Sequence, residues 1–172
     1  MPLEPDTNHQ LLAPAKLGFI ALSIVVALVF NLLPWRDLRG VPDLVALVLT
    51  FWAIHQPQRI GIGLPFLLGL LMDAANGVLF GQHALAYSVL AFAAHTLHRR
   101  LLRFGLWPQA LHVLVMLLLA QALMLAVRMF AGSTFPGWTY FLGSLIAAAL
   151  WPLATLILLA PQRAAQAGDE PR

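Results

Sequence analysis

Apolar residues run along this chain in blocks, and each block is punctuated by proline, charge or an Asn-Gly pair. The first block covers 17–33 and stops at Pro34. The second, 44–54, lies between Pro42-Asp43 and the turn His55-Gln56-Pro57-Gln58-Arg59. The third runs from 60 to about 75 and meets the turn signal Asn76-Gly77. Blocks at 84–97, 108–130 and 138–160 follow, the last with Pro152 as an expected kink. A hydrocarbon core of about 30 Å takes about 20 apolar helical residues, fewer where helix ends are polar or buried by neighbours. The pattern therefore predicts an all-α six-transmembrane-helix bundle.

A second pattern is laid over the third block. Gly61, Pro65, Gly69, Asp73, Gly77 and Gly81 fall every fourth residue. Small residues at that spacing let helix backbones approach closely in lipid, so these six are candidates for helix packing or partner binding. Each step of four drifts about 40° around a helix. Only neighbours such as Gly69, Asp73 and Gly77 can share a face, and the Asn76-Gly77 break sets 77–81 apart as a turn. An ionisable carboxyl in such a segment is costly and marks a functional site by default.

Composition agrees with a membrane protein. Of 172 residues 60% are hydrophobic and 10% charged, with a mean hydropathy of +0.82, whereas soluble domains are about 25% charged. Polar ends, 1–16 and 161–172, flank a single membrane domain at 17–160 and leave no room for a soluble catalytic domain. Cysteine is absent, which excludes disulfides, thiolate metal sites and cysteine nucleophiles. The pI near 10.2 rests on a net charge of only +3, so no nucleic-acid partner is expected. With the N-terminus inside, Lys16, Arg59, Arg99, Arg100, Arg103, Arg163 and Arg172 are inner, seven of ten basic residues. The reverse orientation would place only Arg36 and Arg39 inside, so both termini are expected in the cytoplasm. The first block is long for a secretory signal, and Leu33-Pro34-Trp35 offers no small-residue cleavage site. Trp35, Trp107 and Trp138 fall at predicted span ends, where indole suits the interface.

That topology puts Asp73 about 20 Å from the inner end of its helix, in the outer half of the bilayer. Asp43 opens the second span on the same side, and Arg128 approaches that side from the fifth. Arg36, Arg39, Asp43, Asp73 and Arg128 form the expected outer-face charge cluster. Asp73 then pairs with Arg128, caps a helix after the Asn76-Gly77 break, or serves a partner or pocket. A proton relay would need titratable groups along one path, which the acidic residues do not supply. Arg99, Arg100 and Arg103 form the inner basic loop.

Other chemistry is not encoded. His95 and His98 are three apart and can share a helix face, but no carboxylates stand near and Arg99-Arg100 follow, which opposes a metal. His112 lies in the next span, and His55 and His83 read as turn or interface residues. Ser23, Ser88, Ser133 and Ser144 lack a Gly-x-Ser-x-Gly setting. Gly61-Ile62-Gly63 lacks the glycine and lysine spacing of a phosphate loop. Asp43 and Asp73 sit in no protease motif. No cofactor and no enzymatic activity are expected.

The run Gln56-Pro57-Gln58-Arg59-Ile60-Gly61-Ile62-Gly63, then Phe66-Leu67-Leu68-Gly69-Leu70-Leu71-Met72-Asp73, continues through Gly77, Gly81 and Ala84-Leu85. With Leu33-Pro34-Trp35, Pro42-Asp43, Leu106-Trp107 and Leu150-Trp151-Pro152, this ordering resembles the rod shape-determining protein MreD family. The family often has Pro-Asn where this chain has Pro42-Asp43, which adds a charge. The resemblance implies a bacterial inner-membrane component of the cell-elongation machinery. It implies association with MreC, a bitopic partner with a large periplasmic region. Through MreC it implies a link from MreB filaments to a SEDS glycosyltransferase and a class B penicillin-binding protein. It also implies a fold resembling the substrate-binding subunits of energy-coupling-factor transporters, six-helix bundles with a pocket open to the outer face. Two functions follow as expectations: a non-enzymatic scaffold working by helix packing, or a small-molecule or lipid-binding membrane subunit of a transporter. On the scaffold reading the inner arginines are ordinary topology charge, or a contact for MreB or anionic lipid.

Overall fold

A helix that is apolar on every side belongs in an interior, and the second block is such a helix. The structure, a computed structural model, describes residues 15–35 and 40–168. Among those residues the chain forms α1 (Leu17–Leu32), α2 (Leu44–His55), α3 (Gly63–Asn76), α4 (Gln82–Leu101), α5 (Leu106–Phe130), α6 (Leu142–Ala149) and α7 (Trp151–Gly168). A short 3-10 turn, Trp138–Phe141, leads into α6. Arg36 and Arg39 of the expected charge cluster lie outside the described residues.

Helix α2 touches α1, α4, α5, α6 and α7, and α4 touches α2, α3 and α5, so these two helices form the centre. Phe51, Trp52, Ala53 and Ile54 are fully buried, as are Tyr87 and Ala94 of α4. The outward faces are apolar as well. Leu22 and Val26 of α1, Leu67 of α3, Phe92 of α4, Leu119 of α5 and Ile157 of α7 are all more than half exposed. A soluble monomer rarely exposes so much contiguous apolar surface; acyl chains solvate it without penalty. The chain is an all-helical membrane protein. Helix α5, 25 residues long, is long and apolar enough to cross a bilayer alone. The 3-10 turn with α6 pairs with α7 as one broken apolar element bent by 41°, while α1, α2 and α3 are shorter apolar helices.

Buried polar groups must find partners where water is absent, and they do so across helices. Trp52 Nε1 donates to Ser23 Oγ at 2.9 Å, joining α2 to α1. Gln109 at the start of α5 donates to the carbonyls of Leu101 and Phe104, both at 3.0 Å, and closes the end of α4. Trp151 Nε1 donates in turn to Gln109 Oε1 at 3.3 Å.

The structure moves several boundaries: α4 begins at Gln82, α5 at Leu106, and α7 runs through Gly168, past the expected end at 160. Helix α3 begins at Gly63, not near 60. Helix α4 extends through Leu101, so Arg99 and Arg100 stand on its last turn and only Arg103 lies in the connecting turn. Cations suit that position because the helix C-terminus carries partial negative charge. The kink expected at Pro152 is a full break at Leu150, between α6 and α7. Proline lacks the N–H for Ala148, and its ring crowds that carbonyl. The distortion therefore appears upstream of the proline.

Candidate functional site

The polar residues of the third block and its neighbours collect at one end of the bundle. There α3 stops at Gly77, whose φ of 61° is left-handed. Val78 N–H donates to the carbonyl of Asp73 at 3.2 Å and Gly77 N–H to that of Ala74 at 3.3 Å, the paired bonds of a Schellman ending. Helix α4 starts four residues later behind Gly81, with φ 99° and no side chain to cap the free N–H groups. Asp73, from the preceding helix, fills that role. Its carboxylate accepts from Gly81 N–H at 2.8 Å, His83 N–H at 2.8 Å and Ala84 N–H at 3.4 Å. His83 Nδ1 lies 2.7 Å from the same group and completes the set. Asp73 is fully buried, so these donors replace its water.

Gly69, one turn earlier on the same face, makes this reach possible. A Cβ on Gly69 would fall 2.3 Å from the Cα of Ala84. The α3 and α4 backbones therefore touch there, and the row divides by role. Pro65 and Gly69 are buried, Gly61 is exposed beyond the start of α3, and Gly77 and Gly81 form the turn.

The second carboxylate works in parallel. Asp43 N-caps α2 by accepting from Ala46 N–H at 2.9 Å. It also accepts from Asn31 Nδ2 and from Tyr87 Oη, each at 2.7 Å. Asn31 Oδ1 takes the Leu44 N–H at 3.1 Å. The Tyr87 ring stands edge-on to His83 with centroids 5.8 Å apart. Asn31, Asp43, Tyr87, His83 and Asp73 thus join α1 to α4 at one level. A second set joins α5 to α6: Gln121 donates to the Tyr140 carbonyl and accepts from Ser144 Oγ, both at 2.6 Å. Arg128 sits beside Tyr140, and the side chain that meets Asp73 among the described residues is that of His83.

Two cavities open here. One of about 580 Å³ is bordered by Asn31, Trp35, Asp43, Met72, Asn76 and His83. The other, about 160 Å³, lies among Asp43, His83, Gln121, Tyr140 and Ser144. His83 borders both. Among the described residues no three His, Asp or Glu side chains converge as for a metal. The ring nitrogens of His95 lie 2.8 Å from the carbonyls of Ala91 and Pro57. Arg99, Arg100 and Arg103 are exposed at the opposite end.

Sequence reasoning missed Asn31, Tyr87, Gln121 and the partnership of His83. Each is a polar residue inside or at the edge of an apolar block, which was the available signal. Gly143 carried none. A Cβ there would fall 2.6 Å from the Val41 carbonyl oxygen, so α6 presses on the segment that leads into α2.

Comparison with known proteins extends across this whole arrangement. A family model for the rod shape-determining protein MreD matches residues 15–160. A rod shape-determining protein MreD of Haemophilus influenzae is 31% identical over 138 residues, 78% of this chain and 84% of that protein. No solved structure matches. The matched region contains both carboxylate caps, the α3–α4 contact and the α6–α7 break. The chain belongs to the MreD family of rod shape-determining proteins, and its role lies in determining rod shape.

Proposed function

We propose that the chain is a non-enzymatic scaffold in the bacterial inner membrane. It crosses that membrane six times with both termini in the cytoplasm. It binds MreC and so helps couple MreB filaments to peptidoglycan synthesis by a SEDS glycosyltransferase and a class B penicillin-binding protein. Family membership supplies the rod-shape role. The observation that carries the scaffold reading is the fate of the two carboxylates: Asp43 and Asp73 are both occupied as helix caps that tie neighbouring helices together. Such groups hold a shape and have few lone pairs left for chemistry.

The docking surface is the outward face of α3. Gly69 is occupied by α4, while the Cβ positions of Gly61 and Gly77 are open and Leu64, Leu67 and Leu71 are exposed. Apolar side chains flanked by open glycines suit a partner helix at close range. The test is co-purification of MreC from detergent. The native chain is expected to retain MreC, and Leu67→Ala with Leu71→Ala to lower recovery several-fold at normal abundance. Loss of MreC from the native chain would remove the scaffold reading, and unchanged recovery with the variant would move the docking face elsewhere.

The cavity of about 580 Å³ favours a second reading, a membrane subunit that binds a small molecule or lipid, since ligand pockets run about 300–1,000 Å³. A defined compound extracted in equal proportion to purified protein, and lost on Asn31→Leu, would favour it over the scaffold.

A further inference from the structure

The end of the bundle opposite Asp73 has a different electrostatic character. The acidic residues among those described, Asp43 and Asp73, both belong to the other end. At this end Arg59, Arg99, Arg100 and Arg103 are all exposed. They come from two separate turns that the fold draws together. One ring nitrogen of His95 lies 2.8 Å from the carbonyl oxygen of Pro57, which holds the turn bearing Arg59 against α4. Arg99 follows one helical turn after His95, a rise of about 6 Å.

The backbone that displays these guanidiniums is pinned. Phe104 N–H donates to the Leu101 carbonyl at 3.1 Å and Arg103 N–H to that of Arg100 at 3.2 Å. The buried amide of Gln109 holds the Leu101 and Phe104 carbonyls at 3.0 Å each. Trp151 fixes that amide from behind. A ligand meeting this turn orders little that is not ordered already.

Apolar groups interleave with the charge. Leu102 is 47% exposed, Phe104 36% and Trp107, on the first turn of α5, 76%. An exposed indole at a helix end settles at headgroup level. Arg103 precedes Trp107 by four residues in the same connection, so an indole seated at headgroup level would bring this guanidinium close to lipid phosphates. Guanidinium forks match phosphate oxygens in pairs.

We propose that Arg59, Arg99, Arg100 and Arg103, with Trp107 as the depth anchor, form a binding site for the headgroups of anionic phospholipid. The site depends on the chain lying in a bilayer and not on its binding MreC, so the two readings fail separately. An acidic protein surface is the competing partner, and it would have no use for Leu102 and Trp107 at bilayer depth.

The test uses the full chain in phosphatidylcholine vesicles carrying a minor fraction of brominated phosphatidylglycerol or brominated phosphatidylcholine. The quenching difference between native protein and Trp107→Phe reports the lipid next to Trp107. Phosphatidylglycerol is expected to be preferred about fivefold or more, since one basic residue near an anionic surface is worth about that factor. The preference is expected to fall to near unity in a variant carrying Arg59→Gln, Arg99→Gln, Arg100→Gln and Arg103→Gln, and to survive when the same four become lysine. Raising salt from about 0.1 M to about 1 M shortens the screening length from about 10 Å to about 3 Å, so it is expected to weaken the preference in the unaltered protein. That titration decides the matter if the glutamine variant does not insert. No preference, a preference that survives the glutamines, or one indifferent to salt overturns the proposal. So does a glutamine variant that loses binding to MreB filaments while lipid selection is unchanged.

Discussion

Gly69 and Asp73 lie one turn apart on α3 and act together, because the reach of the carboxylate depends on the missing side chain. With no Cβ at Gly69 the α4 backbone closes to contact, and Asp73 then meets three of its N–H groups. Gly69→Ala must separate the two backbones, since the obstructing atom is the Cα of Ala84 and cannot rotate away. A loss of about 1–3 kcal/mol is expected from such overpacking. Gly61→Ala meets nothing within 4 Å and is expected to stay within about 0.5 kcal/mol of the native protein. Unfolding in detergent compares them, and equal losses would contradict the assigned contact. Asp73→Ala leaves buried N–H groups without acceptors, at a cost of about 3 kcal/mol. Asp73→Asn retains one acceptor oxygen but turns its NH2 toward the N–H groups the other oxygen served, so it is expected to recover only part of that loss, about 1 kcal/mol. If the two replacements destabilise equally, hydrogen bonding is not what holds the helix ends.

At the level of elements, each cap also fixes a neighbour. Asp43 starts α2 and, through Tyr87, binds that start to α4. Tyr87→Phe keeps the ring and removes this link, for an expected loss of about 1 kcal/mol. The same unfolding measurement should find no further loss from Tyr87→Phe once Asp43 is replaced by alanine; additive losses would place the hydroxyl's partner elsewhere. Between α6 and α7 the 41° bend follows from the proline at position 152. Pro152→Ala restores the N–H to Ala148 and is expected to straighten the pair. Because the chain has no cysteine, spin labels at Leu145→Cys and Ile157→Cys read the distance without background, and it should lengthen. An unchanged distance would assign the bend to packing against α5.

At the scale of the whole molecule the polar groups separate by end. Carboxylates, histidine, tyrosine and amides hold the helix termini together at one end, while exposed arginines are displayed from a pinned turn at the other. The lateral surface between them is apolar and available to lipid or a partner helix. A rod-shape determinant built this way offers its neighbours three distinct surfaces. Loss of MreC recovery on altering α3, without change in lipid selection near Trp107, is the outcome expected if those surfaces act independently.

The sequence by itself determined the membrane class, the order of the apolar blocks and the turn at Asn76-Gly77. These depend on local hydropathy, on proline and on left-handed glycine, all of which are properties of nearby residues. It also placed Asp73 beside a small residue and named helix capping among its roles. It named Arg128 as a partner for Asp73 and read His83 only as a turn or interface residue, because the meeting of α3 with α4 that brings His83 to the carboxylate is not written along the chain. For the same reason Asn31, Tyr87 and Gln121 stood as isolated polar residues until the bundle brought their partners from other helices. The tertiary structure also decided that Gly69 faces α4 within the chain and that Arg99 and Arg100 belong to a helix end. Backbone proximity across helices has no period along the chain, so packing alone could settle it.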